Sequence, residues 1–172
     1  RSRRPGAPVR VECVEDLLRV RRAVGEVAVV VVLEPELVVP AAGGAAIGLD
    51  GGRCIVEGNT ISNNRLEGTY IVGVGIFWYN FGDPETIEEV IIRNNLITSN
   101  EGVHTGTSPS LGGAIGTGLP FQEGMLEIYN NIISHNTIEG QGGGFYNWTN
   151  PVMLYNNTFY NNLASDGGNQ IG

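Results

Sequence analysis

Apolar and polar residues alternate along most of this chain, and the alternation breaks at asparagine. Four stretches fall on one register: GNTISNN from Gly58, NNLITSN from Asn94, NNIISHN from Asn130 and NNTFYNN from Asn156. Asn59, Asn95, Asn131 and Asn157 form one column, and five residues on Asn64, Asn100, Asn136 and Asn162 form a second. The flanking columns are apolar. Two residues after the first asparagine column stand Ile61, Ile97, Ile133 and Phe159; three before it Val56, Ile92, Ile128 and Leu154; five before it Cys54, Val90, Leu126 and Val152. A period of two that stops at Asn and then resumes predicts a short strand, a tight turn and another short strand.

The first asparagine column recurs at steps of 36, 36 and 26 residues, the range in which internal similarity marks a solenoid or an array. One unit has too few inward side chains to bury them alone, so units must stack. Stacking sets each Asn over its counterpart, where side-chain amides can bond to one another in a ladder and the turn gains a residue that tolerates left-handed backbone angles. Glycines form a second landmark, at Gly75, Gly112-Gly113, Gly142 to Gly144 and Gly167-Gly168, just before the inward residues Ile76, Ile115, Phe145 and Ile171. They bend the chain where a side chain would clash or where φ is positive. A bare coil of 26 residues is expected to hold three strands and three turns. Extra residues enter the first two coils at Arg65 to Val74, Trp78 to Glu89, Glu101 to Leu111 and Gly116 to Gly124. Insertions at one turn should stack into a wall that steps down at the third coil.

The expected fold class is therefore all-β, a parallel β-helix. These repeats resemble right-handed parallel β-helix proteins of the pectate-lyase-like superfamily. The pairing of Gly-Gly-Ala-Ile at 112 to 115 with Phe159-Tyr-Asn-Asn162 is similar to the repeats of polymorphic outer-membrane proteins. The resemblance covers 54 to 172 well and 8 to 53 more loosely. It implies a secreted or cell-surface location of bacterial type, and it leaves activity open, because this architecture carries lyases, hydrolases, epimerases and non-catalytic adhesins alike.

The chain reads as one domain over 1 to 172, part of a longer β-helix, with a cap over 8 to 25, a first coil over 26 to 53 and regular coils from 54. In the cap, Cys13, Val14, Leu17, Leu18 and Val24 share one helical face, and acids come early and arginines late, as the helix dipole favours. The end of the last coil shows no cap, so further coils or self-association are expected there. No apolar run approaches the ~18 residues of a membrane span.

Charge narrows the partners. Formal net charge is −8, and residues 54 to 172 hold two Arg, no Lys and eleven acids. Nucleic acid and anionic membranes are disfavoured, since both need basic side chains. Neutral glycans, as oligo- or polysaccharide, or bound cations fit better, and no cofactor is expected. Cys13 and Cys54 could form a disulfide or stand as two buried thiols.

Catalytic signals are thin. Lyases of this architecture use Ca2+ carboxylates with an Arg or Lys base and hydrolases use clustered Asp, but the four Asp here fall in separate segments and no Arg follows Arg93. His104 and His135 have no metal-ligand or acid-base partners at suitable spacing. Asp83, Glu85, Glu88 and Glu89 could form a carboxylate cluster, or simply a solvated loop. No catalytic or metal-binding residue is assigned. Aromatic residues are more suggestive: Phe77-Trp78-Tyr79-Asn80-Phe81 cannot all point into a narrow core. The expected sugar-binding trough is bounded by Trp78, Tyr79 and Phe81 on one hand and Phe121, Tyr146 and Trp148 on the other, with stacking on Trp78 or Trp148. These aromatics could instead pack the long loops onto the barrel. Two functional classes are thus carried forward: a non-catalytic glycan-binding or adhesive segment, and a polysaccharide lyase or glycoside hydrolase whose catalytic residues lie outside this chain or in its long loops.

Overall fold

A computed structural model describes residues 10–14, 37–38, 47–50, 53–80, 88–107, 110–120, 124–148 and 151–172. Every described element is a strand. Parallel strands stack into sheets that form the sides of a solenoid, the arrangement of a parallel β-helix. The first side holds Arg53–Glu57, Glu88–Arg93, Gly124–Tyr129 and Val152–Tyr155. The second holds Thr60–Ser62, Leu96–Thr98, Ile132–Ser134 and Thr158–Tyr160. Leu37–Val38, Arg65–Gly68, Glu101–His104, Thr137–Ile138 and Leu163–Ala164 form the third. Ile47–Asp50, Ile76–Asn80, Ile115–Pro120 and Phe145–Tyr146 form the fourth. A coil therefore has four main sides rather than the expected three, because both asparagine columns are corners with a three-residue strand between them.

Register follows the apolar columns. Cys54, Val90, Leu126 and Val152 pair in line, as do Val56, Ile92, Ile128 and Leu154. Ile61, Ile97, Ile133 and Phe159 do the same, and so do Ile76, Ile115, Phe145 and Ile171. Alternation along the strands turns these columns inward, and Val56, Ile76, Val90, Ile92, Ile97, Ile115, Leu126, Ile128 and Ile133 are fully buried in one continuous core; the side chain of Cys54 lies outside the described residues. A one-residue slip would turn the whole set outward, which is why the register is so strongly fixed.

At the corners the two tasks expected of one asparagine are divided between neighbours. The left-handed residue is the one before the ladder: Gly58, Asn94, Asn130 and Asn156 at the first corner, and Asn63, Ser99, His135 and Asn161 at the second. The ladder residue turns inward and makes the bonds. Asn95 donates its backbone N–H and Nδ2 to Asn131 Oδ1 at 2.9 and 3.0 Å, and Asn131 does likewise to Asn157 Oδ1 at 3.0 and 2.9 Å. Each Nδ2 also reaches back to the preceding coil, from Asn95 to Val56 O, from Asn131 to Ile92 O and from Asn157 to Ile128 O. Asn64, Asn100, Asn136 and Asn162 repeat the scheme, with Nδ2 to Oδ1 distances of 2.7, 2.8 and 2.9 Å. Buried amides are thereby satisfied coil by coil. Asn59 begins the first ladder by donating its N–H to Asn95 Oδ1; its buried Nδ2 finds no partner among the described residues.

Two expectations change. Arg10–Val14, assigned above to a helical cap, is a strand that pairs antiparallel with Arg53–Glu57 and sets Cys13 opposite Cys54 along the backbone. Unpaired edge amides of the first side outweigh the weak helical periodicity there. Residues 15 to 36, the rest of that cap and the start of the first coil, lie outside the described residues. The inserted segments are also partly strand: Arg65–Gly68 and Glu101–His104 belong to the third side, and Ile76–Asn80 and Ile115–Pro120 prolong the fourth. Residues 81–87 and 121–123, parts of two of the four segments expected to build the wall, are not among those described.

Candidate functional site

On the fourth side, alternation from Ile76 sends Trp78 inward, in register with Leu49 and Thr117. Trp78 is 1% exposed and is part of the core, so it offers no face to a sugar. That corrects its expected place in the trough. A small Thr in the next coil leaves room for the indole, whose Nε1–H has no partner among the described residues. The side chains of Tyr79, Phe81 and Phe121 lie outside the described residues.

Tyr146 and Trp148 are brought together. Their rings meet edge to face at 6.4 Å and 72°, with Tyr146 half-buried and Trp148 38% exposed. Buried Thr117 fixes the segment between them: its hydroxyl donates to Asn147 Oδ1 at 3.1 Å and accepts from the Trp148 N–H at 2.9 Å. Both capacities of the hydroxyl are used, so the core holds Trp148 in place while its ring stands in solvent.

A second aromatic pair was not foreseen. Tyr129 and Tyr155 are register partners on the first side, and their rings stack at 4.8 Å and 7°. The separation matches the usual distance between neighbouring strands. Above Tyr129 in the same outward column stand Arg93 and Glu57. Arg93 donates to Glu57 Oε2 at 2.8 Å and to the Tyr129 hydroxyl at 2.9 Å. Those bonds, Glu57 first, push its guanidinium pKa up. Tyr155 bonds Glu127 Oε2 at 3.4 Å, and its phenol pKa is raised by partial desolvation and then by that carboxylate. The only signal in the sequence is the placing of two tyrosines 26 residues apart at matching positions, and outward columns follow no general pattern.

Arg65 and His104 are tied into the frame. Arg65 is held by Glu67 and Glu101 at 2.9 and 3.0 Å, and Glu67 is the main cause of its raised pKa. His104 Nε2 donates to Thr69 O at 3.0 Å, and its backbone N–H donates to Glu139 Oε2 at 2.8 Å. His135 is an exposed corner residue edge-on to Tyr160 at 5.2 Å. Among the described residues no three of His, Cys, Asp and Glu converge as metal ligands. What this arrangement can do chemically is stack a flat or apolar ring on an anchored indole, with Asn and Tyr polar groups near it. Compared with family models, curated proteins and solved structures, the chain gives no match.

Proposed function

We propose that this chain is a non-catalytic β-helix segment of a secreted or cell-surface protein, and that it binds neutral or weakly acidic oligosaccharide along its third and fourth coils. The observation that carries the reading is Trp148, an exposed indole anchored through its own backbone to buried Thr117 and flanked by Tyr146. Aromatic faces of this kind take the apolar side of a sugar ring, while nearby amides and hydroxyls take its polar rim. Adhesive binding suits the site better than turnover. Both described arginines beyond residue 53 are engaged by carboxylates, Arg65 by Glu67 and Glu101 and Arg93 by Glu57. On this reading the solenoid is right-handed and akin to the pectate-lyase-like superfamily.

Titration with a panel of neutral and acidic oligosaccharides, followed by tryptophan fluorescence, tests the proposal. The chain has two tryptophans, and the buried one serves as an internal reference. Binding should change the emission of the wild type and leave that of Trp148→Phe unchanged. No response across the panel, or a response that survives Trp148→Phe, would refute the site. Cleavage of any polymer in the panel would point instead to the lyase or hydrolase class.

A further inference from the structure

Cys13 and Cys54 are far apart in sequence, and the fold brings them to one rung of a ladder. Arg10–Val14 runs antiparallel to Arg53–Glu57, with Val11 opposite Val56, Cys13 opposite Cys54 and Val14 opposite Arg53. On its other edge Arg53–Glu57 pairs in parallel with Glu88–Arg93. Residues directly opposite in an antiparallel ladder share a face of the sheet, with Cα atoms about 5.5 Å apart in a hydrogen-bonded pair and about 4.5 Å apart in the other kind. A disulfide spans Cα atoms about 4.4 to 6.8 Å apart. Either kind of pair meets that condition, so the register by itself places the two backbones correctly for a bond.

Core packing does not account for the pair. The register column of Cys54 continues through Val90, Leu126 and Val152, so a plain apolar residue serves there in the other coils. Cysteine enters that column only in the coil that the antiparallel strand meets, and it enters both strands at the same rung. A small apolar core residue explains either cysteine alone, not the coincidence of the two. The chain has two cysteines in all, so no third thiol competes for either. Arg10–Val14 also has a use for a staple. It is a five-residue strand that covers an edge of the first side, where an open row of amides would invite another strand, and short edge elements held by ladder bonds open easily.

We propose that Cys13 and Cys54 form a disulfide that staples Arg10–Val14 to the first side, so that the hold of this strand depends on redox state. The oxidant is a small-molecule disulfide such as oxidised glutathione. One cysteine thiolate attacks a glutathione sulfur, forming a mixed disulfide and releasing one glutathione thiol; the other cysteine thiolate then attacks the protein sulfur of that mixed disulfide, forming the Cys13–Cys54 bond and releasing the second. Two cysteine thiols lose two electrons, the glutathione disulfide gains them, and the two protons leave with the released thiols. Excess reductant reverses both steps and leaves the strand to its ladder bonds alone, with the edge of Arg53–Glu57 open to exchange. The inference does not depend on sugar binding.

A redox titration of the 172-residue chain with reduced and oxidised glutathione tests it, read by alkylation of free thiols and mass spectrometry. Oxidation should make the chain lighter by two hydrogens, and trypsin should then release the peptide 11 to 19 joined to the peptide 54 to 65. The bond should form at least about tenfold more readily in the folded chain than in denaturant, because a fold that the bond stabilises favours the bond equally. Hydrogen exchange supplies the second measurement without any variant: amides of 10 to 14 and 53 to 57 should exchange at least about tenfold more slowly in the oxidised chain, while 124 to 138 stay unchanged. In Cys13→Ser that difference should vanish. Two free thiols in excess oxidised glutathione, glutathione retained on either cysteine of the folded chain, a bond formed as readily in denaturant, or exchange at 10 to 14 indifferent to redox state would each overturn the proposal.

Discussion

Asn131 shows how much one side chain can carry. Its Oδ1 accepts two bonds from Asn95, and the two hydrogens of its Nδ2 are shared among Ile92 O, Tyr129 O and Asn157 Oδ1. Asn131→Ala strands two buried donors on Asn95 and should cost about 3 kcal/mol in a denaturant titration, at the high end for a single polar deletion. The residue just before the second ladder has the opposite problem. Ser99 and His135 hold φ of 58° and 56° where the other coils place Asn63 and Asn161, and asparagine visits this region more readily than either. Ser99→Asn and His135→Gly should each raise stability by roughly 0.5 to 1 kcal/mol, seen as a higher midpoint with unchanged slope. Both asparagine columns could be read from the sequence because every coil asks the same question of the same position. That the strain falls one residue earlier could not, since Asn occupies both places in most coils.

Strands and corners obey the same repetition wherever side chains face inward. The inward columns of the first two sides, and that of Ile76 on the fourth, could be aligned from the sequence alone, because stacked coils place like beside like; Leu66, Gly102, Ile138 and Ala164 on the third side could not, since their sizes differ from coil to coil. The fourth side shows where that logic ends. Trp78 belongs inside by alternation from Ile76, yet its aromatic neighbours make the stretch look like a surface patch. The antiparallel strand Arg10–Val14 answers an edge that only the assembled sheet presents. Tyr129 and Tyr155 lie outward, where no packing constraint writes a pattern. The glycine corner is firmer ground: Gly142 has φ of 71°, and a Cβ there would lie 2.7 Å from Phe145 O. Gly142→Ala should therefore destabilise by about 2 to 3 kcal/mol, with hydrogen-exchange protection lost first around Phe145. Thr117→Val keeps the shape but removes the hydroxyl that holds Trp148 and Asn147. It should cost about 1 to 2 kcal/mol and lower the fluorescence anisotropy of the Trp148 ring.

At the scale of the whole molecule, coils hold one another through nearest-neighbour contacts, so stability accumulates along the axis. In the coil from Val152 to Gly172, Gln170 closes the second ladder by accepting from Asn162 Nδ2. Gln170→Ala should cost about 1 kcal/mol and raise exchange between Phe159 and Ile171 while leaving 88 to 104 unaffected. The equal step between the first three rungs has a different consequence. Asn59, Asn95 and Asn131 are spaced 36 residues apart, and the coils they begin meet through the same set of bonds. A cut after Asn94 rejoined at Asn131 would remove one whole turn of the solenoid and bring Arg93-Asn94 onto Asn131-Ile132 with both ladders still in phase. Such a shortened chain should fold, with a lower midpoint and the same far-ultraviolet signature of parallel strands. A cut displaced by one residue should not, since it would turn the core outward. The chain is then less a single object than a length of material that can be trimmed at its rungs.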